Sequence, residues 1–141
     1  MEIEQYLGQL PMLHTWDGGQ SWNSGGFEPH QLRALYDFLQ ASLPPGAMTL
    51  ETGAGNSTLT LSFLNISQHT VICPDPGVLG RIRRYCEREG LATGHLDIRE
   101  GFSEWVLPQI AARTREGSPP LHFAPIDGGH NWPTVLSIST T

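Results

Sequence analysis

At 141 residues with 38% hydrophobic content, the chain is sized for one domain with a buried core and lacks the composition of a disordered tail. Its net charge of -6, with eight Lys plus Arg against fourteen Asp plus Glu, argues against a nucleic-acid partner, because such binding is driven by clustered cations. No run approaches the roughly 18 to 20 apolar residues that a bilayer span requires, and the acidic start at Glu2 and Glu4 is the wrong charge for a secretory signal. No membrane association and a cytoplasmic location are therefore expected.

Residues 1–46 read as an N-terminal loop and helix that cap or cover the remainder. The stretch 15–26 is polar and glycine-rich and holds Trp16 and Trp22, which could close over a substrate or pack on a sheet edge. A helix is expected to follow, with Pro29 in its first turn, an end near Ser42, and Leu32, Leu35, Tyr36 and Leu39 as its apolar face. Pro44, Pro45 and Gly46 end it.

From 47 onward, four apolar stretches each finish on an acid or a glycine: 48–51, 70–75, 96–101 and 121–127. The intervals are 24 positions from Glu51 to Asp75, 26 from Asp75 to Gly101 and 26 from Gly101 to Asp127, a spacing that suits successive strand-helix units. Helices are predicted over 57–65, 77–89 and 103–115. The second carries Val78, Leu79, Ile82 and Tyr85 as a stripe and Gly90 as a stop, while Pro108 weakens the middle of the third. Arg81, Arg83, Arg84 and Arg88 read as the solvated side of the second helix. Cys73, in a strand, and Cys86, in a helix, read as two buried thiols rather than a disulfide or a metal pair.

Right-handed crossovers place the carboxyl ends of all these strands on one edge of a parallel sheet, so Glu51, Asp75, Gly101 and Asp127 converge where open α/β sheets bind ligands. Any single acid there can equally be a helix cap or a turn residue. The most informative stretch is Leu50, Glu51, Thr52, Gly53, Ala54, Gly55, Asn56, where a strand meets an acid and then a Gly-x-Gly turn that opens a helix. Glycine permits positive φ and close approach, and the helix start offers unpaired N–H groups. A dinucleotide is disfavoured, because position 58 is Thr58 rather than a third small residue and Glu51 would repel a pyrophosphate. A cofactor without phosphate and with a cationic end, such as S-adenosylmethionine, fits better. A tight turn that binds nothing is the plain alternative.

With that turn, Asp75, the stretch 100–108 and Ile126, Asp127, Gly128, Gly129 and His130 assembled, the chain resembles the class I S-adenosylmethionine-dependent methyltransferases, in their small-molecule O-methyltransferase-like branch. The likeness covers roughly residues 30–135. It implies an α/β fold, a Rossmann-like parallel sheet with flanking helices, and a domain over 47–141. By resemblance, Glu51, Gly53, Ala54, Gly55 and Asn56 would hold the methionine part of the cofactor and Asp75 the ribose hydroxyls. Gly101, Phe102 and Ser103 would lie against adenine. Asp127 would face the methyl group and a small-molecule acceptor, with Asp127 or His130 taking the acceptor's proton if that acceptor is a hydroxyl. Some relatives bind a divalent cation after the fourth strand, but His14, His30, His69, His95 and His122 are scattered without ligand spacing, and no metal is expected.

The family core has seven strands, whereas this sequence stops soon after its fourth, so the fold is expected to be truncated there. The fourth strand would then be an open edge, available for a homodimer. Such a chain could retain cofactor binding and lose turnover. Two rivals therefore stand beside the methyltransferase: a non-catalytic S-adenosylmethionine-binding or interaction module, and an NAD-dependent oxidoreductase. The sequence also implies that replacing His14 leaves the site untouched.

Overall fold

A computed structural model describes residues 1–14, 27–115 and 121–123 of the chain. In chain order its elements are α1 (Ile3–Gly8), α2 (Pro29–Ser42), β1 (Ala47–Thr52), α3 (Asn56–Leu61), β2 (Ile66–Cys73), α4 (Pro76–Glu89), β3 (Leu96–Glu100) and α5 (Ser103–Arg115). The three strands form one parallel sheet in the order β1-β2-β3, with Thr49 opposite His69 and Thr70 opposite Asp97. On its other side β1 meets residues 121–123. Thr49 and Phe123 form a parallel bridge, the Leu50 N–H donates to the Phe123 carbonyl at 3.0 Å, and the His122 N–H donates to the Met48 carbonyl at 2.8 Å. The chain therefore builds outward from β1 to β3, then crosses back to β1 and starts again on the far side. This is the α/β, Rossmann-like layout expected from the alternating pattern, with the strand order reversing beside β1.

Local chemistry accounts for most of the elements. α2 opens with Pro29 at its first position, and Gln31 Oε1 accepts the Glu28 N–H at 2.9 Å. α4 stops at Gly90, whose φ of 70° is the left-handed conformation that glycine adopts without strain. Its buried stripe is Val78, Leu79, Ile82, Tyr85 and Cys86. Each fully buried aliphatic side chain contributes roughly 1.5–3 kcal/mol. That outweighs the roughly 0.8–1 kcal/mol cost of each of the two glycines, Gly77 and Gly80, inside the helix. Pro108 does not divide α5, which runs unbroken from Ser103 to Arg115.

The core lies on both faces of the sheet. Val71 and Cys73 join Leu59 of α3, the α4 stripe, and Ile3, Tyr6 and Leu13 from the N-terminal segment. On the other face Leu50 and Ile72 pack against Leu107 of α5. Both cysteines are free and buried, and burial pushes both thiols above their ordinary range. The short helix α1 was not anticipated. It lacks a side-chain cap and exists by packing, with Tyr6 fully buried and its ring 5.2 Å from that of Phe63. No helix among the described residues is long and apolar enough to cross a membrane.

Candidate functional site

β1 delivers Glu51 and Thr52 to the carboxyl edge of the sheet, where the chain turns through Gly53 into α3. Gly53 has φ of 81°, and its N–H donates to the Ile72 carbonyl at 2.7 Å. A side chain there would be strained, so this glycine is required by conformation. Gly55 is different. Its φ of 173° is extended backbone, but a Cβ placed on it would lie 2.9 Å from His14 Nε2. A side chain at 55 would therefore have to displace the His14 ring, and His14, expected to stand apart from the site, packs directly on the turn.

Glu51, which the resemblance assigns to the methionine part of the cofactor, is 1% exposed. Its carboxylate turns inward and is engaged by the first turn of α3: Ser57 Oγ donates to Oε2 at 2.7 Å and Thr58 Oγ1 donates to Oε1. Thr58 Oγ1 also accepts the Gly55 N–H at 3.2 Å. The residue that breaks the dinucleotide fingerprint is therefore the one that joins the turn to the buried acid. On β2, His69 is 0% exposed, with Nε2 3.3 Å from Glu51 Oε1 and Nδ1 2.7 Å from Thr49 Oγ1. The physical reason for the inward turn is that a buried carboxylate is tolerated only where hydrogen-bond donors surround it.

Asn56 is likewise committed within the protein. The Tyr6 hydroxyl donates to its carbonyl at 2.9 Å and to its Oδ1 at 2.7 Å, while its Nδ2 donates to the Pro11 carbonyl at 3.4 Å. Arg81 Nε donates to the Leu13 carbonyl at 2.6 Å. The segment from Tyr6 to His14 is thus tied to the starts of both α3 and α4.

At the end of β2, Asp75 is exposed and caps α4, with Oδ1 accepting the N–H groups of Gly77 at 2.9 Å and Val78 at 3.4 Å. These bonds involve Oδ1 alone. At the end of β3, the Gly101 N–H donates to the Cys73 carbonyl at 3.0 Å, and Ser103 is buried at the start of α5. Phe102 and Trp105 are 49% and 68% exposed and form an edge-to-face pair with centroids 5.5 Å apart. Glu51, the glycine turn, Asp75 and the Gly101–Ser103 stretch therefore share one edge. Asp127, His130, Trp16 and Trp22 lie outside the described residues, as does the expected dimer edge beyond 123.

Sequence reasoning overlooked Thr49, Ser57, His69 and His14. One signal was available: Thr49 and Glu51 are polar at alternate positions of an apolar strand, which places both on one face. Among the described residues, no three His, Cys, Asp or Glu side chains come together in a way that could hold a metal ion. Two cavities among the described residues lie away from this edge. One of about 510 Å³ is bounded by Arg83, Glu87, Leu91, Thr93, Leu96 and Ile98, and one of about 320 Å³ lies between the end of α2 and the turn after α3. Neither is lined by the glycine turn, Asp75 or Phe102, so the chemistry of the edge, rather than cavity size, singles it out.

No family model matches the sequence, and no curated protein matches it. Among solved structures, the fold is similar to that of a precorrin-8W decarboxylase from Methanobacterium thermoautotrophicum, with a TM-score of 0.59 and 18% sequence identity. The match covers 81% of this chain and 57% of that one, so this chain spans little more than half the length of that protein. The likeness extends to the α/β fold.

Proposed function

We propose that the carboxyl edge binds S-adenosylmethionine and that the chain is a methyltransferase acting on a small-molecule acceptor. The observation that carries the reading is the reversal of strand order beside β1. It puts the Gly53 turn at the switch point where open α/β sheets take their ligands. Three further features fit this cofactor. Asp75 keeps Oδ2 for a ribose hydroxyl while Oδ1 caps α4. The exposed Phe102 and Trp105 rings, set edge to face, each offer an aromatic face against which a purine can stack. The buried Glu51 beneath the turn works against a pyrophosphate, and so against NAD. In this reading Glu51 and Asn56 shape the turn from within, and Gly53, Ala54 and Gly55 are the backbone that meets the methionine end. The cofactor supplies a methyl group on a sulfonium. The protein's part is to hold acceptor and methyl group in line, with Asp127 and His130 assigned to the acceptor side.

The fold alone does not select this chemistry, since the similar structure is named as a decarboxylase. Calorimetry with S-adenosylhomocysteine and with NAD discriminates. Saturable heat with the first, none with the second, and loss of the first on Asp75→Ala are the expected results. Heat with NAD alone, or with neither compound, overturns the reading. Cofactor binding without methyl release from S-adenosylmethionine across a panel of hydroxyl acceptors would favour a binding module.

A further inference from the structure

We propose that His69 is a positioning residue for this edge: it touches no ligand, but fixes the Glu51 carboxylate and, through it, the glycine turn and the first turn of α3. What the turn holds rests on the reading above; the clasp itself is a matter of geometry.

α3 has only six residues, far too few to be helical unaided. Side chains from outside the helix hold it at both ends. At its C-terminal end Ser62 Oγ donates to the Thr58 carbonyl at 3.3 Å and lies 3.1 Å from His95 Nε2. At its N-terminal end Ser57 and Thr58 bind Glu51, and His69 stands behind that acid. Thr49 Oγ1, opposite His69 in the β1-β2 register, lies 2.7 Å from Nδ1 and fixes the ring. The carboxylate 3.3 Å from Nε2 favours the tautomer protonated at Nε2, in which the Thr49 hydroxyl donates to Nδ1 and the Nε2 proton faces Glu51 Oε1.

That N–H is poorly aligned and makes no hydrogen bond to any partner, so its pull on the carboxylate is through-space attraction. A fully buried imidazole with an unbonded N–H is a costly choice for packing alone, since an aliphatic side chain of similar volume has no polar atom to desolvate. What it gains is a fixed carboxylate. Two hydroxyls alone can follow a swinging Glu51, whereas a third, immobile group on β2 sets where the acid, and therefore the turn, must lie.

The test compares His69→Leu with His69→Gln, which retains an N–H donor. His69→Leu is expected to melt at a lower temperature, because the buried Thr49 hydroxyl loses its partner, to bind S-adenosylhomocysteine about tenfold or more weakly, a change of about 1.4 kcal/mol, and to exchange the amides of 57–61 faster. His69→Gln should recover most of the affinity and the protection. Unaltered affinity and exchange in His69→Leu overturn the proposal, as does a loss of affinity that follows melting temperature alike in both variants. If His69→Leu does not fold, Thr49→Val, which keeps the imidazole but frees its ring, should show faster exchange at 57–61; unchanged exchange overturns the proposal. If the unaltered protein binds no S-adenosylhomocysteine, the functional reading falls, and the exchange comparison still decides the role of His69.

Discussion

Glu51→Ala is the sharpest test of how the turn is held. The substitution strips the acceptor from Ser57 Oγ and Thr58 Oγ1 and the neighbour from His69 Nε2, in a space closed to water. A hydrogen bond to a charged group contributes about 1.5–3 kcal/mol net, and a stranded buried donor costs about 1–3 kcal/mol. Two such bonds amount to about 3–6 kcal/mol, and relief of the carboxylate's own desolvation offsets part of this. The stranded hydroxyls can partly recover by turning to helix carbonyls, as Thr60 Oγ1 does with the Asn56 carbonyl at 2.8 Å, which favours the lower end of that range. A loss of about 3 kcal/mol lowers the midpoint by about 9–15 °C for a chain of this length. Glu51→Gln keeps one carbonyl oxygen and adds a donor that either hydroxyl can accept, so its loss should be nearer 1 kcal/mol. Urea titration followed by far-ultraviolet circular dichroism measures both. A Glu51→Ala protein within about 1 kcal/mol of the unaltered one, or a glutamine variant weaker than the alanine one, would refute the clasp.

Gly55→Ala should cost about 1–2 kcal/mol through the 2.9 Å approach to His14 Nε2, and nearly nothing in a His14→Ala background, because the backbone at 55 is extended. A double-mutant cycle with strictly additive effects would show that the imidazole does not press on the turn. His95 has its pKa lowered from 6.5, first by burial and then by His69, so the folded state disfavours its charged form. The stability associated with neutral His95 is complete above pH 6.5 and is lost as the pH falls through the lowered folded value, where the unfolded chain binds the extra proton. His95→Gln should therefore lose less stability than the unaltered protein when urea midpoints are compared above and below pH 6.5, and an equal loss in both would contradict this.

The fold was readable where the signal is local. Apolar periodicity and end signals located α2, α4 and α5, and the spacing of strand ends gave the parallel sheet. The failures have physical causes. β2 begins at Ile66, not at Thr70, because Ser67, Gln68 and His69 look like loop residues and become strand only through partners elsewhere. Gln68 Nε2 donates to Asp97 Oδ2 at 3.3 Å, Ser67 Oγ donates to the Ala47 carbonyl at 3.2 Å, and His69 meets Thr49. The earlier strand start in turn shortens α3, which ends at Leu61 rather than Asn65. α1 depends on Tyr6 finding Asn56 fifty positions away, and no window of sequence carries that information.

The site was readable in its phase but not in its orientation. One acid or glycine per strand end placed Glu51, Asp75 and Gly101 on a common edge, yet a carboxylate at a strand end can face the cleft or hold the helix that follows. The following residues decide. Ser57 and Thr58, six and seven positions after Glu51, are hydroxyls on the first turn of α3, and they draw the acid inward. Pro76 lacks an N–H, so Asp75 reaches on to Gly77 and Val78 and takes the cap position through one oxygen. Both acids therefore secure helix starts before they recognise anything else. Each oxygen of Glu51 accepts a hydroxyl of α3, and at 1% exposure the carboxylate is shielded from the cleft by its own helix. Under the proposed reading, recognition of a cationic nucleoside at this edge falls to the second oxygen of Asp75, the backbone of the turn and the Phe102–Trp105 pair, and Asp75→Asn, which keeps the capping oxygen, isolates the first of these from the helix it holds.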